Sequence, residues 1–375
     1  MDGNDNLNKP NIRTENQKID FDQLTRMLNP ITILYLNSIL NRESRDTYNQ
    51  HKDFIPEDIS KVVLPPELIQ KVNKVDYEKL SAKWYGKQVI EFAKIMEKEF
   101  PPEYLVNFYN NINDLFIYSY EHQYKELIID SSSDTDGIYF TIGNFIIIDE
   151  DFFECLIFHE LFHMASARIA KGIIFGGFEQ MAIDGSFYIG KGLNEGYTQL
   201  LAERYFGHIE GVKGTYPYLV KVAGLLEEIV GAEKMTGLYL RADLPGLINE
   251  LKKYVSEDEI LEFLNASDFI EKHLFEKDNP PSKDALITQS LVTINEFLFK
   301  LNVVKAIKMF VHGELKDEEE LNGFVSEFAN KIGTEIAVGN HKYTYFSEKR
   351  ANEMYVEILT KKMNEYAPDE STIKM

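Results

Sequence analysis

The sequence predicts an α+β fold, predominantly α, and three observations carry that expectation. Long stretches toward both ends repeat apolar residues at helical spacing. Short β-rich runs cluster between Tyr124 and Asp149. An apolar run from Phe152 to Ala170 follows them directly and is long enough for a buried helix. Together they describe a small sheet set ahead of one central helix, wrapped by helical segments before and after it.

In chain order, residues 1–20 are polar and acidic and read as a disordered arm. Residues 21–120 read as an N-terminal helical region. Phe21 to Asn41 is apolar enough for a helix interrupted at Asn29-Pro30, and Asn41 to Pro66 is a mixed loop. Tyr77, Leu80, Trp84, Val89, Phe92 and Met96 then form an inward stripe on a helix from Asp76 to Phe100, and Pro101-Pro102 starts a further helix toward Tyr120.

Residues 121–210 form the predicted core. Tyr124 to Asp130 reads as a strand, and Gly137 to Phe140 with Phe145 to Asp149 as a hairpin turning at Gly143-Asn144. Asp149 or Asp151 is placed to cap the helix that follows. Gly172 to Gly192 reads as a long glycine- and aromatic-rich loop, then Leu193 to Phe206 as a helix closed by Gly207. Residues 211–366 form a C-terminal helical region, with helices over Tyr218–Ile229, Leu247–Tyr254, Glu259–Phe275, Leu286–Val311 and Glu348–Tyr366. Asn279-Pro280-Pro281 is the clearest hinge or loop, and 367–375 is a polar tail.

Composition narrows the partners. The chain has 375 residues, 44% hydrophobic and 13% aromatic, enough for a substantial core. It carries 40 basic and 61 acidic residues, a net charge of −21, which argues against a nucleic-acid groove or an anionic membrane surface. The one cysteine, Cys155, allows no intrachain disulfide; it reads as a small buried hydrophobe, with a metal ligand as its alternative. With no secretory h-region and no run of about 18 uncharged apolar residues, the expected location is cytoplasmic, leaderless secretion aside.

The apolar run contains His159-Glu160-Leu161-Phe162-His163, an H-E-x-x-H pattern. Among eight histidines and 61 acidic residues, such a pattern arises by accident only about 0.03 times per chain. On a helix the two imidazoles lie about 40° apart on one face and can reach one Zn²⁺. Glu160, beside the first, can act as general base on water at the metal. Such a site needs a third protein ligand from elsewhere.

Downstream, Gly192-Leu193-Asn194-Glu195-Gly196 opens the next helix. Strands, an H-E-x-x-H helix, a loop and an N-E-G helix, in that order, resemble the gluzincin branch of the zincin-type zinc metallopeptidases, over about Tyr124 to Gly207. The resemblance implies a zincin-like catalytic core with a single zinc ion held by His159, His163 and Glu195, and Glu160 as the base. Tyr188, seven residues before Glu195, looks like the oxyanion-stabilising tyrosine of lethal-factor-like and Pro-Pro-endopeptidase-like gluzincins. Tyr197, His208, Tyr216, Tyr218 and His312 are its rivals. Thermolysin-like members carry an acid one turn after the ligand glutamate; here Gln199 stands there, and Glu203 lies one turn further. The amine-capturing G-x-M-E-N element of the clan's aminopeptidases is absent upstream, so the substrate implied is an internal bond of a peptide or protein, which an edge strand within Gly137 to Asp149 can bind by β-addition. The alternatives are a zincin-fold binding protein without activity and a zinc hydrolase of a non-peptide amide.

Overall fold

The computed structural model describes residues 12–14, 17–19, 74–122, 136–170, 172–183, 185–214, 216–273, 281–338 and 341–366. The expected helix from Phe21, the loop to Pro66, the strand over Tyr124 to Asp130 and the turn at Asn279-Pro280 lie outside them. By contacts the chain divides into two units, residues 1–220 with 233–246, and residues 221–232 with 247–375.

The first unit begins with two short strands in the stretch read as an arm, β1 (Ile12–Thr14) and β2 (Gln17–Ile19), paired antiparallel. The stripe from Tyr77 to Met96 breaks into α1 (Tyr77–Ser81), whose first turn is capped by the Asp76 carboxylate accepting from Lys79 N–H, and α2 (Gly86–Glu99). After a single 3₁₀ turn at Pro102–Tyr104 comes α3 (Val106–Ile112). The helix expected to run to Tyr120 stops there. Phe116–Tyr120 is instead a strand, β3, parallel to a later one, with Ile117↔Ile146 and Ser119↔Ile148 in register. Its three aromatic residues and the β-branched Ile117 suit a pleated ribbon better than another helical turn.

The predicted hairpin is present as β4 (Gly137–Phe140) and β5 (Phe145–Asp149), with Phe140↔Phe145 closing it and Gly143 and Asn144 both at positive φ. Among the described residues the sheet order is β2-β1-β3-β5-β4, with β4 at an edge. Helix α4 (Phe153–Ser166) follows, with the histidine motif in its second and third turns. Neither predicted cap holds: Phe152 is the N-cap with no side-chain bond, while Asp149 accepts from the Asp151 N–H at 3.0 Å. Helix α4 is apolar around most of its circumference because it is buried on most sides, against α2, α3, β4 and β5. Phe162 meets Phe92 edge-on at 4.9 Å, and Phe158 stacks on Phe206 at 3.9 Å.

The apolar run leaves helix at Ser166, and the loop predicted over Gly172 to Gly192 is mostly sheet. β6 (Ala167–Ala170), β7 (Ile173–Gly176), β8 (Glu179–Ala182) and β9 (Tyr188–Ile189) form an antiparallel sheet in sequence order. Its glycines sit at the reversals and its aromatics in the core, so glycine content alone misread the segment. Helix α5 (Lys191–Phe206) packs on α4 and ends at Gly207, as predicted. There follow α6 (Pro217–Val230), α7 (Ala232–Leu240) and α8 (Leu244–Leu251).

The second unit is built on α9 (Glu257–His273) and the long α10 (Pro281–Val311), with Phe263 stacked on Phe297 at 4.4 Å. The acidic run after Lys316 begins α11 (Glu318–Ile332), where the Asp317 carboxylate accepts from Glu320 N–H. A hairpin absent from the sequence reading, β10 (Glu335–Val338) and β11 (His341–Thr344), precedes α12 (Glu348–Tyr366). Arg350 clamps Glu296 with two bonds, at 2.7 and 2.9 Å. The fold is thus predominantly helical with small sheets. Among the described residues no helix is long and apolar enough to cross a membrane.

Candidate metal centre

Helices α4 and α5 bring three predicted residues to one point. His159 Nε2 lies 2.9 Å from His163 Nε2 and 3.1 Å from Glu195 Oε2, and His163 Nε2 lies 3.4 Å from the same oxygen. The imidazoles come from successive turns of α4, as i, i+4 spacing requires. Glu195 comes from the second turn of α5, whose start is set by Gly190 at φ 86°.

The polar partners of the imidazoles differ. His159 Nδ1 faces Gln199 Oε1 at 3.0 Å. The Gln199 amide can be oriented only one way, because its NH₂ donates to Glu203 Oε1 at 3.1 Å and to the Val212 carbonyl at 2.6 Å. Its oxygen therefore accepts from His159 Nδ1–H, which leaves the Nε2 lone pair pointing at His163 and Glu195. Glu203 also accepts from Gly214 N–H at 3.3 Å, so the chain of bonds ends in the loop after α5. At His163, Asn194 presents its NH₂ to Nδ1 across 3.3 Å, because its oxygen accepts from Phe178 N–H at 3.1 Å. Asn194 holds that ring by contact rather than by keeping a proton on Nδ1.

The electrostatics follow from burial and crowding. His159 and Glu160 are each 6% exposed and Glu195 8%. Burial would push the Glu195 carboxyl up, but the adjacent imidazoles of His163 and His159 outweigh it and hold it well below the usual carboxylate range. Burial would lower His163; the charges of Glu195, Glu160 and Glu179 outweigh it and raise the ring. Glu160 is pushed up by burial, against the opposing fields of His159 and His163 and a bond from the Tyr139 backbone amide. Strand β4 passes directly over this carboxylate: a Cβ on Gly137 would lie 3.5 Å from Glu160 Cγ and Oε1.

The donor set fits a divalent cation. Two imidazole nitrogens and a carboxylate oxygen facing one another at about 3 Å repel unless a proton or a cation lies among them, and two histidines with one glutamate are the ligand chemistry zinc takes in catalytic sites. Cys155 is outside the group; its Sγ donates to the Phe152 carbonyl. A second group, His122, Asp149 and Asp151, also lies within ligand range, but Asp149 is already engaged by His122 Nδ1 and by Asp151 N–H.

The tyrosines separate. Tyr188, on β9, is buried in an apolar cluster with Tyr118, Phe140, Ile147 and Met181. Tyr197 shares a buried bond with Thr236 Oγ1 at 2.8 Å, a structural role. Tyr218 is buried, and His208 is exposed near Glu91. The ring beside a candidate ligand is Tyr216, whose centroid is 6.0 Å from that of His159, on a backbone at φ 52°. Left-handed backbone in a tyrosine carries strain of the kind that collects at functional positions. Its sequence signal was only its place among the rivals. Compared with known proteins, the chain matches no family model, no curated protein and no solved structure.

Proposed function

We propose that this chain is a zinc-dependent endopeptidase of the gluzincin type, holding one zinc ion on His159, His163 and Glu195. The observation that supports this most is the convergence of those three donor atoms within 3.4 Å of one another, with the buried Glu160 carboxylate on the helix that carries both histidines. When bound, zinc supplies a Lewis acid that polarises the scissile carbonyl and makes water acidic enough to lose a proton near neutral pH.

The chain's own residues do the rest. Glu160, raised by its burial, takes the proton of the attacking water and hands it to the departing amine. The Tyr139 amide fixes where that carboxylate points. Strand β4, at the sheet edge beside Glu160, offers main-chain groups to an extended peptide, which suits cleavage within a chain. A phenol donates to the developing oxyanion. The candidates are Tyr188, by resemblance, and Tyr216, by its ring contact with His159.

The test is metal content and peptide-library digestion, read by mass spectrometry, for wild type, Glu195→Ala and Glu160→Gln. Glu195→Ala is expected to lose its zinc. Glu160→Gln is expected to keep one zinc per chain and lose at least about 100-fold in turnover. Zinc retained by Glu195→Ala removes the ligand assignment. Unchanged behaviour of Glu160→Gln turns the reading to a zincin-fold binding protein.

A further inference from the structure

Strand β4 and helix α4 are joined by a line of side-chain hydrogen bonds that belongs to neither the sheet ladder nor the helix. The Tyr139 hydroxyl, on β4, donates to Asn144 Oδ1 at 3.0 Å. Asn144 Nδ2 donates to the Asn111 carbonyl in the last turn of α3 at 2.7 Å. Asn111 Nδ2 then forks to the Met164 and Ala167 carbonyls, each at 2.8 Å. Met164 follows His163 directly. The line therefore starts on the strand that passes over Glu160 and ends one residue past a candidate ligand.

Each joint uses a group that the fold leaves open. The last carbonyls of a helix lack the usual partner one turn on, and the two asparagine amides donate to those of α3 and α4. Asn144 sits at φ 52°, where glycine would be unstrained. The turn itself needs only its backbone, whose carbonyl accepts from Phe116 N–H at 3.3 Å. Both ends of its amide go to other elements, one to Tyr139 and one to α3. Apolar packing is non-directional and lets a sheet edge tilt on a helix. A series of directed bonds between 2.7 and 3.0 Å does not. A peptide laid on β4 takes its distance from the donor triad from that strand, and a misplacement of about 1 Å costs on the order of 100-fold in rate.

We propose that Asn111, Asn144 and Tyr139 are positioning residues, a strut that holds the β4 edge at the height where a bound peptide meets the metal. This rests on the zinc-peptidase reading above. The test uses the full chain and Asn144→Gly, which removes both side-chain bonds and keeps the left-handed turn. In zinc-free protein, amide exchange across residues 137–140, read by mass spectrometry, is expected to run at least about tenfold faster than in wild type. With zinc, KM for a cleaved peptide is expected to rise about tenfold, while kcat and zinc affinity stay within about threefold. Asn113→Ala is the control for lost stability. It also removes two bonds, to the Lys74 carbonyl at 2.9 Å and from Asp76 N–H at 2.8 Å, but these lead to the stretch before α1. It is expected to change neither the exchange nor KM. Wild-type exchange in Asn144→Gly overturns the strut. Faster exchange with wild-type KM overturns its positioning role, as do equal effects from Asn113→Ala. A wild type without zinc or peptide cleavage overturns the zinc reading and this role together, and the exchange data, independent of both, tell that apart from failure of the strut.

Discussion

Gln199 stands where a carboxylate would be the simpler choice. A carboxylate against His159 Nδ1 would hold the ring by charge, whereas an amide must be told which of its ends to present. The Val212 carbonyl and Glu203 do this by accepting both amide protons, so the position of one imidazole depends on an acid two helical turns from Glu195. Without an acceptor at 203, only the Val212 carbonyl is left to orient the Gln199 amide. Glu203→Ala is therefore expected to weaken zinc binding about tenfold, the low end of the range seen when outer-shell partners are lost, measured by competition against a chromogenic chelator. Unchanged affinity would reduce Glu203 to a tether for Gly214. The sequence showed the spacing Glu195, Gln199, Glu203 along one face of α5, but not that the last two act in series.

At the scale of elements, the reversal between β7 and β8 fixes the approach of α5 to α4. Gly177 there has φ 53°, and a Cβ on it would lie 2.2 Å from Asn194 Oδ1 and 2.3 Å from the Tyr239 ring. Only glycine lets Phe178 N–H reach Asn194, the residue before the carboxylate of the donor triad. Gly177→Ala meets both the left-handed penalty and a hard overlap, so a loss of about 3 kcal/mol or more is expected, read by urea unfolding. Wild-type stability in that variant would mean that the turn and α5 are not coupled. A run of glycines reads locally as loop, because the pairing that makes it sheet lies in partners such as Arg168↔Phe175 and Phe175↔Gln180. Likewise Phe116–Tyr120 is strand because β5 lies beside it, a partner 29 residues away in register.

For the molecule as a whole, the two units offer separate reporters. Trp84, the single tryptophan, belongs to the first unit and packs on Phe153, the first residue of α4, at 4.9 Å. Its fluorescence follows the unit that carries the donor triad, whereas far-ultraviolet circular dichroism follows both. Binding to the folded state alone stabilises by about 4 kcal/mol when free ligand exceeds Kd about 1,000-fold. Chelation is therefore expected to lower the Trp84 transition temperature. An unchanged Trp84 transition would contradict this.

The sequence by itself determined the chemistry available. Residues four apart on a helix must share a face, so the His159–His163 pair and Glu160 beside it were legible from spacing alone, as were the β4–β5 hairpin from Gly143-Asn144 and the long amphipathic helices. Only the tertiary structure decided which distant groups meet. Glu195 reaches the imidazoles 32 and 36 residues back because α5 packs on α4. Local periodicity records the preference of each segment for one face. It carries no record of which other segment that face will be pressed against, because that choice belongs to the packing of the complete chain.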